Sequence, residues 1–102
     1  MNLYSKVIKA VLIATLMMSA AAAAQTKGDA SAGAEKAKAC ANCHGLDGKG
    51  RIPLAGKTAD YLEGQLKAFK SGARKEQMMN MMANNLSDQD IADLAAYFSS
   101  QK

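Results

Sequence analysis

The sequence predicts an all-α fold of three to five short helices, and three observations predict it. Residues from Ala30 to about Asn42 form a run of alanine, lysine and glutamate with high helix propensity. Two later segments repeat apolar residues at helical spacing: Leu62, Leu66 and Phe69, then Ile91, Leu94, Ala95 and Phe98. No segment beyond the first two dozen residues alternates apolar and polar residues as a half-buried strand would, and no internal repeat is visible.

The N-terminal stretch is set apart from this domain. Lys6 and Lys9 precede an apolar run from Ala10 to Met18, and small residues follow, ending in Ala22-Ala23-Ala24. A positive start, a short apolar core and an A-x-A exit are the parts of a secretory signal peptide, so residues 1-24 are read as a signal peptide cleaved after Ala24. The competing reading is an uncleaved anchor. The apolar run is far shorter than the roughly 20 residues that cross a bilayer. Cleavage leaves residues 25-102 as one domain, near the lower size limit at which an apolar core suffices without a staple. Its aromatic residues are Tyr61, Phe69, Tyr97 and Phe98, a thin supply, so bound material is expected to complete the core.

Each helix carries its own start and stop signals. Asp29 is the expected N-cap of the first, in which Gly33 is the odd residue. A glycine there costs about 1 kcal/mol against alanine, so it marks a close approach by another helix. Gly45, Gly48 and Gly50 then break regular structure, and Pro53 keeps Ile52-Pro53-Leu54 out of a helix interior. Thr58 caps a helix from about Ala59 to Ser71, which Gly72 ends. The last helix begins after Ser87, with Asp88 and Asp90 where acidic groups suit the helix dipole.

Charge narrows the function class. The chain has 13 basic and 9 acidic residues, and loss of Lys6 and Lys9 leaves a nearly balanced domain. No basic stripe remains to bind nucleic acid.

The chemistry lies in Cys40-Ala41-Asn42-Cys43-His44, the C-x-x-C-H pattern of c-type haem attachment. Two cysteines three apart at a helix end share one side and can each form a thioether with one haem vinyl group. The histidine beside the second cysteine then lies under the iron as proximal ligand. A thioredoxin-like pair is expected near a βαβ pattern, which is missing. A structural zinc site needs four ligands, whereas the chain has two cysteines and one histidine. A plain disulfide leaves His44 without a role. For the sixth iron position, Met78, Met79, Met81 and Met82 offer four thioethers in five residues. Methionines at helical spacing usually fill core gaps, and periodicity does not choose among the four.

With these residues in view, the sequence resembles the class I c-type cytochromes, in particular the small bacterial monohaem type and one half of the two-haem cytochrome c4. The resemblance runs from Gly28-Asp29 through the Cys40–Gly45 motif, Pro53-Leu54-Ala55-Gly56, Tyr61-Leu62, Gln65-Leu66, Phe69-Lys70 and Gly72. It continues to Leu86-Ser87-Asp88, Asp90-Ile91 and Leu94-Ala95-Ala96-Tyr97-Phe98. It implies the class I cytochrome c fold wrapped around one covalent haem c with its iron. It also implies that the axial methionine stands eight residues before the serine of the closing Leu-Ser-Asp, which is Met79, with Met82 as second choice. Pro53 is implied to lie beside His44 and to accept its other ring N–H through its carbonyl. Gly33 is implied to cross the last helix near Tyr97.

The expected function is one-electron transfer in the periplasm by a non-enzymatic carrier with His/Met-ligated haem. Leu46, Ile52, Leu54, Leu62, Leu66 and Phe69 are the expected pocket walls. The expected partners are transient donor and acceptor oxidoreductases, membrane-bound ones included, with no nucleic acid and no small-molecule substrate, and the chain is expected to be a monomer. Lys38, Lys49 and Lys57 are candidates for steering an acidic partner. Two rivals remain: a sensor or enzyme with an open sixth position, and a subunit dedicated to one oxidoreductase.

Overall fold

The computed structural model describes residues 26–102. The signal peptide and its cleavage after Ala24 lie outside the described residues. Five α-helices follow one another: α1 Ala30–Lys36, α2 Ala41–His44, α3 Ala59–Ser71, α4 Gln77–Asn84 and α5 Asp88–Ser100. A 3₁₀ turn, Ala37–Cys40, joins α1 to α2, so the first predicted helix is one path with a tighter turn in its middle. No strand occurs among the described residues, and the all-α expectation holds.

The caps sit where the side chains dictate. The Asp29 carboxylate accepts from the backbone N–H groups of Ser31 and Ala32. The Thr58 hydroxyl accepts from Tyr61, and Gly72 closes α3 in the left-handed conformation at φ 83°. Ser87 and Asp90 form a reciprocal capping box at the start of α5. Helix α4 begins at Glu76, whose carboxylate accepts from the Met79 N–H at 2.7 Å.

The frame is the crossing of α1 over α5. A Cβ built on Gly33 would lie 2.0 Å from the Asp93 carbonyl oxygen and 2.7 Å from the Tyr97 Cβ, so glycine alone allows this approach. The contact near Tyr97 agrees with the predicted crossing. Beside it, the buried Asp93 carboxylate accepts from the Asp29 N–H at 2.8 Å, Lys36 Nζ at 2.6 Å and Gln89 Nε2 at 2.8 Å.

The core is small. Its buried hydrophobic residues are Ala37, Leu62, Phe69, Ala83, Ile91, Ala92, Leu94, Ala95 and Phe98. Four of these are alanines, and Ile91 is the large side chain that is fully buried. The predicted inner faces of α3 and α5 are therefore correct in place, with Leu66 only half-buried and Tyr61 49% exposed.

Candidate haem site

The loop after α2 builds one wall of the site by hydrogen bonds that glycine permits. Gly50 N–H donates to the His44 carbonyl at 2.8 Å and Ile52 N–H to the Cys43 carbonyl at 3.0 Å. A Cβ at Gly50 would fall 2.6 Å from the His44 carbonyl carbon, so only glycine lets the loop fold back this closely. The result brings the Ile52 carbonyl to 2.7 Å from Nδ1 of the buried His44. A carbonyl only accepts, so Nδ1 carries the proton and Nε2 is left as the available donor atom for a metal. The expectation for Pro53 is corrected here: the acceptor is the carbonyl of Ile52, one residue earlier. Pro53, the next residue, lines the cavity.

That cavity has a volume of about 370 Å³. Its inner lining is apolar: Leu54, Leu62, Leu66 and Phe69 on one side, Leu94, Ala95 and Phe98 of α5 behind. Cys40 and His44 enter from α2 and its preceding turn, and Met79 enters from α4. Of the predicted walls, Ile52, Leu54, Leu62, Leu66 and Phe69 line it. Leu46 does not; its side chain is 49% exposed and its carbonyl accepts from the Tyr97 hydroxyl.

The structure separates the four methionines. Met79 is half-buried and lines the cavity. Met78, Met81 and Met82 are 60%, 62% and 38% exposed and do not line it.

Cys40 and Cys43 are free thiols, each half-buried. Burial pushes the Cys40 thiol above its ordinary pKa. A redox-active C-x-x-C pair needs the opposite, a depressed thiol at an electropositive site. Among the described residues, no group of three or more histidine, cysteine or acidic residues could hold a metal ion. A zinc centre or a thioredoxin-like pair therefore does not fit, whereas a covalent haem does: Cys40, the free imidazole nitrogen of His44 and the Met79 thioether line an apolar cavity in a thin core, and Cys43, which does not line it, stands beside His44 in the C-x-x-C-H spacing.

Of the polar rim, sequence reasoning singled out Lys57 alone. Lys57, Gln65, Arg74 and Glu76 stand among the cavity residues. The Arg74 guanidinium lies 4.6 Å from the centre of the Phe69 ring and donates to Gln65 Oε1, while Asn80 Nδ2 holds the Arg74 and Phe69 carbonyls at 2.8 Å each. No periodicity marks these residues; they come from before α3, from α3 itself and from the α3–α4 turn. Of the lysines expected to steer a partner, Lys38 pairs with Glu35 at 2.7 Å, and Lys57, 5.5 Å from the Tyr61 ring, stands at the rim.

The comparisons with known proteins agree with this site. The cytochrome c family model matches residues 27–102. Cytochrome c-554(548) of Halomonas halodenitrificans is 50% identical over 82 residues, covering 74% of this chain and 99% of that protein. Cytochrome c4 of Pseudomonas aeruginosa is 48% identical over 83 residues, covering 78% of this chain and 41% of that protein. The crystal structure of reduced cytochrome c4 from Pseudomonas stutzeri superposes with a TM-score of 0.69 at 44% identity, covering 74% of this chain and 46% of that one. The chain thus spans nearly the whole of the Halomonas protein and less than half of these two cytochrome c4 proteins. With a cavity that fits the group and a match across the helical domain, the chain belongs to the class I c-type cytochromes, whose cofactor is covalent haem c, and it is similar to one half of cytochrome c4.

Proposed function

We propose that this protein is an exported, monomeric electron carrier that passes one electron at a time between donor and acceptor oxidoreductases in the periplasm. The observation that carries the proposal is the pairing of His44 and Met79 on one cavity, with Nδ1 of His44 already committed to the Ile52 carbonyl. Cys40 and Cys43 hold the haem by thioethers, His44 supplies the proximal nitrogen and Met79 the distal sulfur. When bound, the haem iron would supply the one-electron chemistry. The residues of the chain do the rest. Ligands on both faces leave no place for a substrate, and apolar walls disfavour the more highly charged ferric state, which raises the reduction potential. The Ile52 carbonyl fixes the imidazole plane and its tautomer. Lys57 and Arg74 at the rim suit the two propionate groups of a haem and an acidic partner surface.

Export is supported by the signal-like pattern of residues 1-24. No helix among the described residues is long and apolar enough to cross a membrane.

The visible spectrum of the haem-loaded protein tests the proposal. A reduced protein whose spectrum ignores carbon monoxide has a saturated iron and is a carrier; rapid carbon monoxide binding would place an open-site sensor or enzyme ahead. Met79→Ala is expected to abolish the iron–sulfur charge-transfer band at the red end of the ferric spectrum. Survival of that band would move the distal ligand to Met82 or another neighbour.

A further inference from the structure

One thioether of the methionine cluster is accounted for by the cavity, and three are not. Met78, Met81 and Met82 occupy positions i, i+3 and i+4 of α4, the spacing that places side chains together on one helix face. Their exposures of 60%, 62% and 38% rule out core filling, the usual task of methionine. The helix that carries them, Gln77–Asn84, has no charged side chain at all. From these observations we propose that Met78, Met81 and Met82 form a surface site for a soft monovalent d¹⁰ cation, copper(I) in particular, separate from the haem.

The donor chemistry selects the ion. Thioethers are neutral, polarizable ligands that favour copper(I) over zinc, iron or the hard divalent ions. No group of three or more histidine, cysteine or acidic side chains that could hold a metal occurs among the described residues, and the carboxylate next to them in sequence, Glu76, already caps the helix by accepting from the Met79 N–H, so a borderline or hard ion finds no such ligand set here. A site with three neutral ligands keeps the charge of a monovalent ion at +1, which an uncharged helix face in contact with water tolerates. Reach is sufficient: Cβ atoms three and four residues apart on a helix lie about 5–6 Å from each other. Each methionine adds rotatable bonds beyond Cβ, so the three sulfurs can converge on one ion without moving the backbone. Ordering three exposed side chains has an entropic cost, so the site is expected to bind in an exchangeable way rather than as a permanent structural centre. No electron transfer is part of the proposal.

The test is a copper(I) titration of the haem-loaded protein, anaerobic and with ascorbate so that the haem stays ferrous, against a chromogenic copper(I) chelator. Silver(I) serves as a redox-inert second probe. The comparison is the triple variant Met78→Leu, Met81→Leu, Met82→Leu, which keeps side-chain size and helix propensity at exposed positions. The wild type is expected to hold one equivalent of copper(I) per chain and the triple variant none, with identical haem spectra. The proposal is overturned if the wild type takes up no copper(I), or if the triple variant takes up as much. It is also overturned if the triple variant loses the iron–sulfur band, since one of the three would then be an iron ligand. That last result would refute the Met79 assignment as well, whereas loss of copper binding with an intact band separates the two sites.

Discussion

At the scale of single residues, Gly33 and His44 show how one atom decides a position. Alanine in place of Gly33 would improve helix propensity by about 1 kcal/mol. The added Cβ would meet the Asp93 carbonyl oxygen at 2.0 Å, and the opposing atom is backbone that cannot rotate away. Overpacking of this kind costs typically about 1–3 kcal/mol, so the clash outweighs the propensity. Gly33→Ala is expected to lower Tm of the haem-loaded protein by about 5 °C or more, read from a thermal melt. An unchanged or raised Tm would mean that α1 and α5 cross farther apart. For His44, the backbone of a neighbouring loop chooses the tautomer. The expectation for this bond was one residue off because a carbonyl belongs to every residue, and only the turn geometry says which one faces inward.

At the scale of elements, the crossing of α1 and α5 is held by charge as well as by close packing. Lys36 Nζ bridges Asp90 at 2.8 Å and Asp93 at 2.6 Å. Hydrogen bonding to Lys36, followed by bonds from Ser87, holds the Asp90 carboxyl at about 2, below its ordinary 3.8. Hydrogen bonding to Lys36, then the Asp29 N–H and Gln89, lowers Asp93 as well. Both acids have folded-state values below their unfolded ones. Their stabilisation is therefore complete above about pH 4; the Asp90 share is lost as pH falls toward about 2, and the Asp93 share as pH falls through its own lowered value. Lys36 is raised above 10.5 by the same partners, so its contribution is present below that value and is lost as pH rises through the raised one. Lys36→Met is expected to flatten the dependence of Tm on pH between pH 4 and 2, as measured by melts across that range. An unaltered slope would assign the acid sensitivity to other carboxylates. Salt should weaken the Asp90 contact first, because its side chain is 30% exposed against 3% for Asp93. Caps act at the same scale: Ser87→Ala removes half of the capping box and is expected to cost about 1 kcal/mol in denaturant unfolding.

For the whole molecule, the deciding fact is a core with too little in it. Four of its nine buried hydrophobic residues are alanines, and the apolar faces of α3 and α5 border a cavity rather than each other alone. Haem bonded to Cys40 and Cys43 would fill that space and staple α2 to the rest. Changing both cysteines to serine is expected to leave residues 25–102 largely unfolded under mild conditions, followed by far-ultraviolet circular dichroism. A cooperative, native-like melt without haem would show that the polypeptide alone suffices.

Much of this protein was legible in the amino-acid order. Local rules act over a few residues, and the sequence displays them directly: the cap residues Asp29, Thr58 and Ser87, the stop at Gly72 and the inner faces of α3 and α5. The C-x-x-C-H motif is likewise contiguous, because one haem must meet two thiols and an imidazole on a single turn. Helix α4 was not drawn in advance, because its methionine run reads as a source of iron ligands and its N-cap is Glu76 rather than the serine, threonine, aspartate or asparagine that usually marks a helix start. Tertiary structure alone decided which carbonyl meets His44 and that Arg74, Gln65 and Lys57 share the cavity rim, and it put on the cavity Met79, the methionine that periodicity left open and only the resemblance pointed to. It also decided that Asp93, unremarkable in sequence, is a buried carboxylate saturated by donors from two helices. These contacts join residues far apart in the chain, and their geometry depends on helix rotation and crossing distance, which no local pattern records.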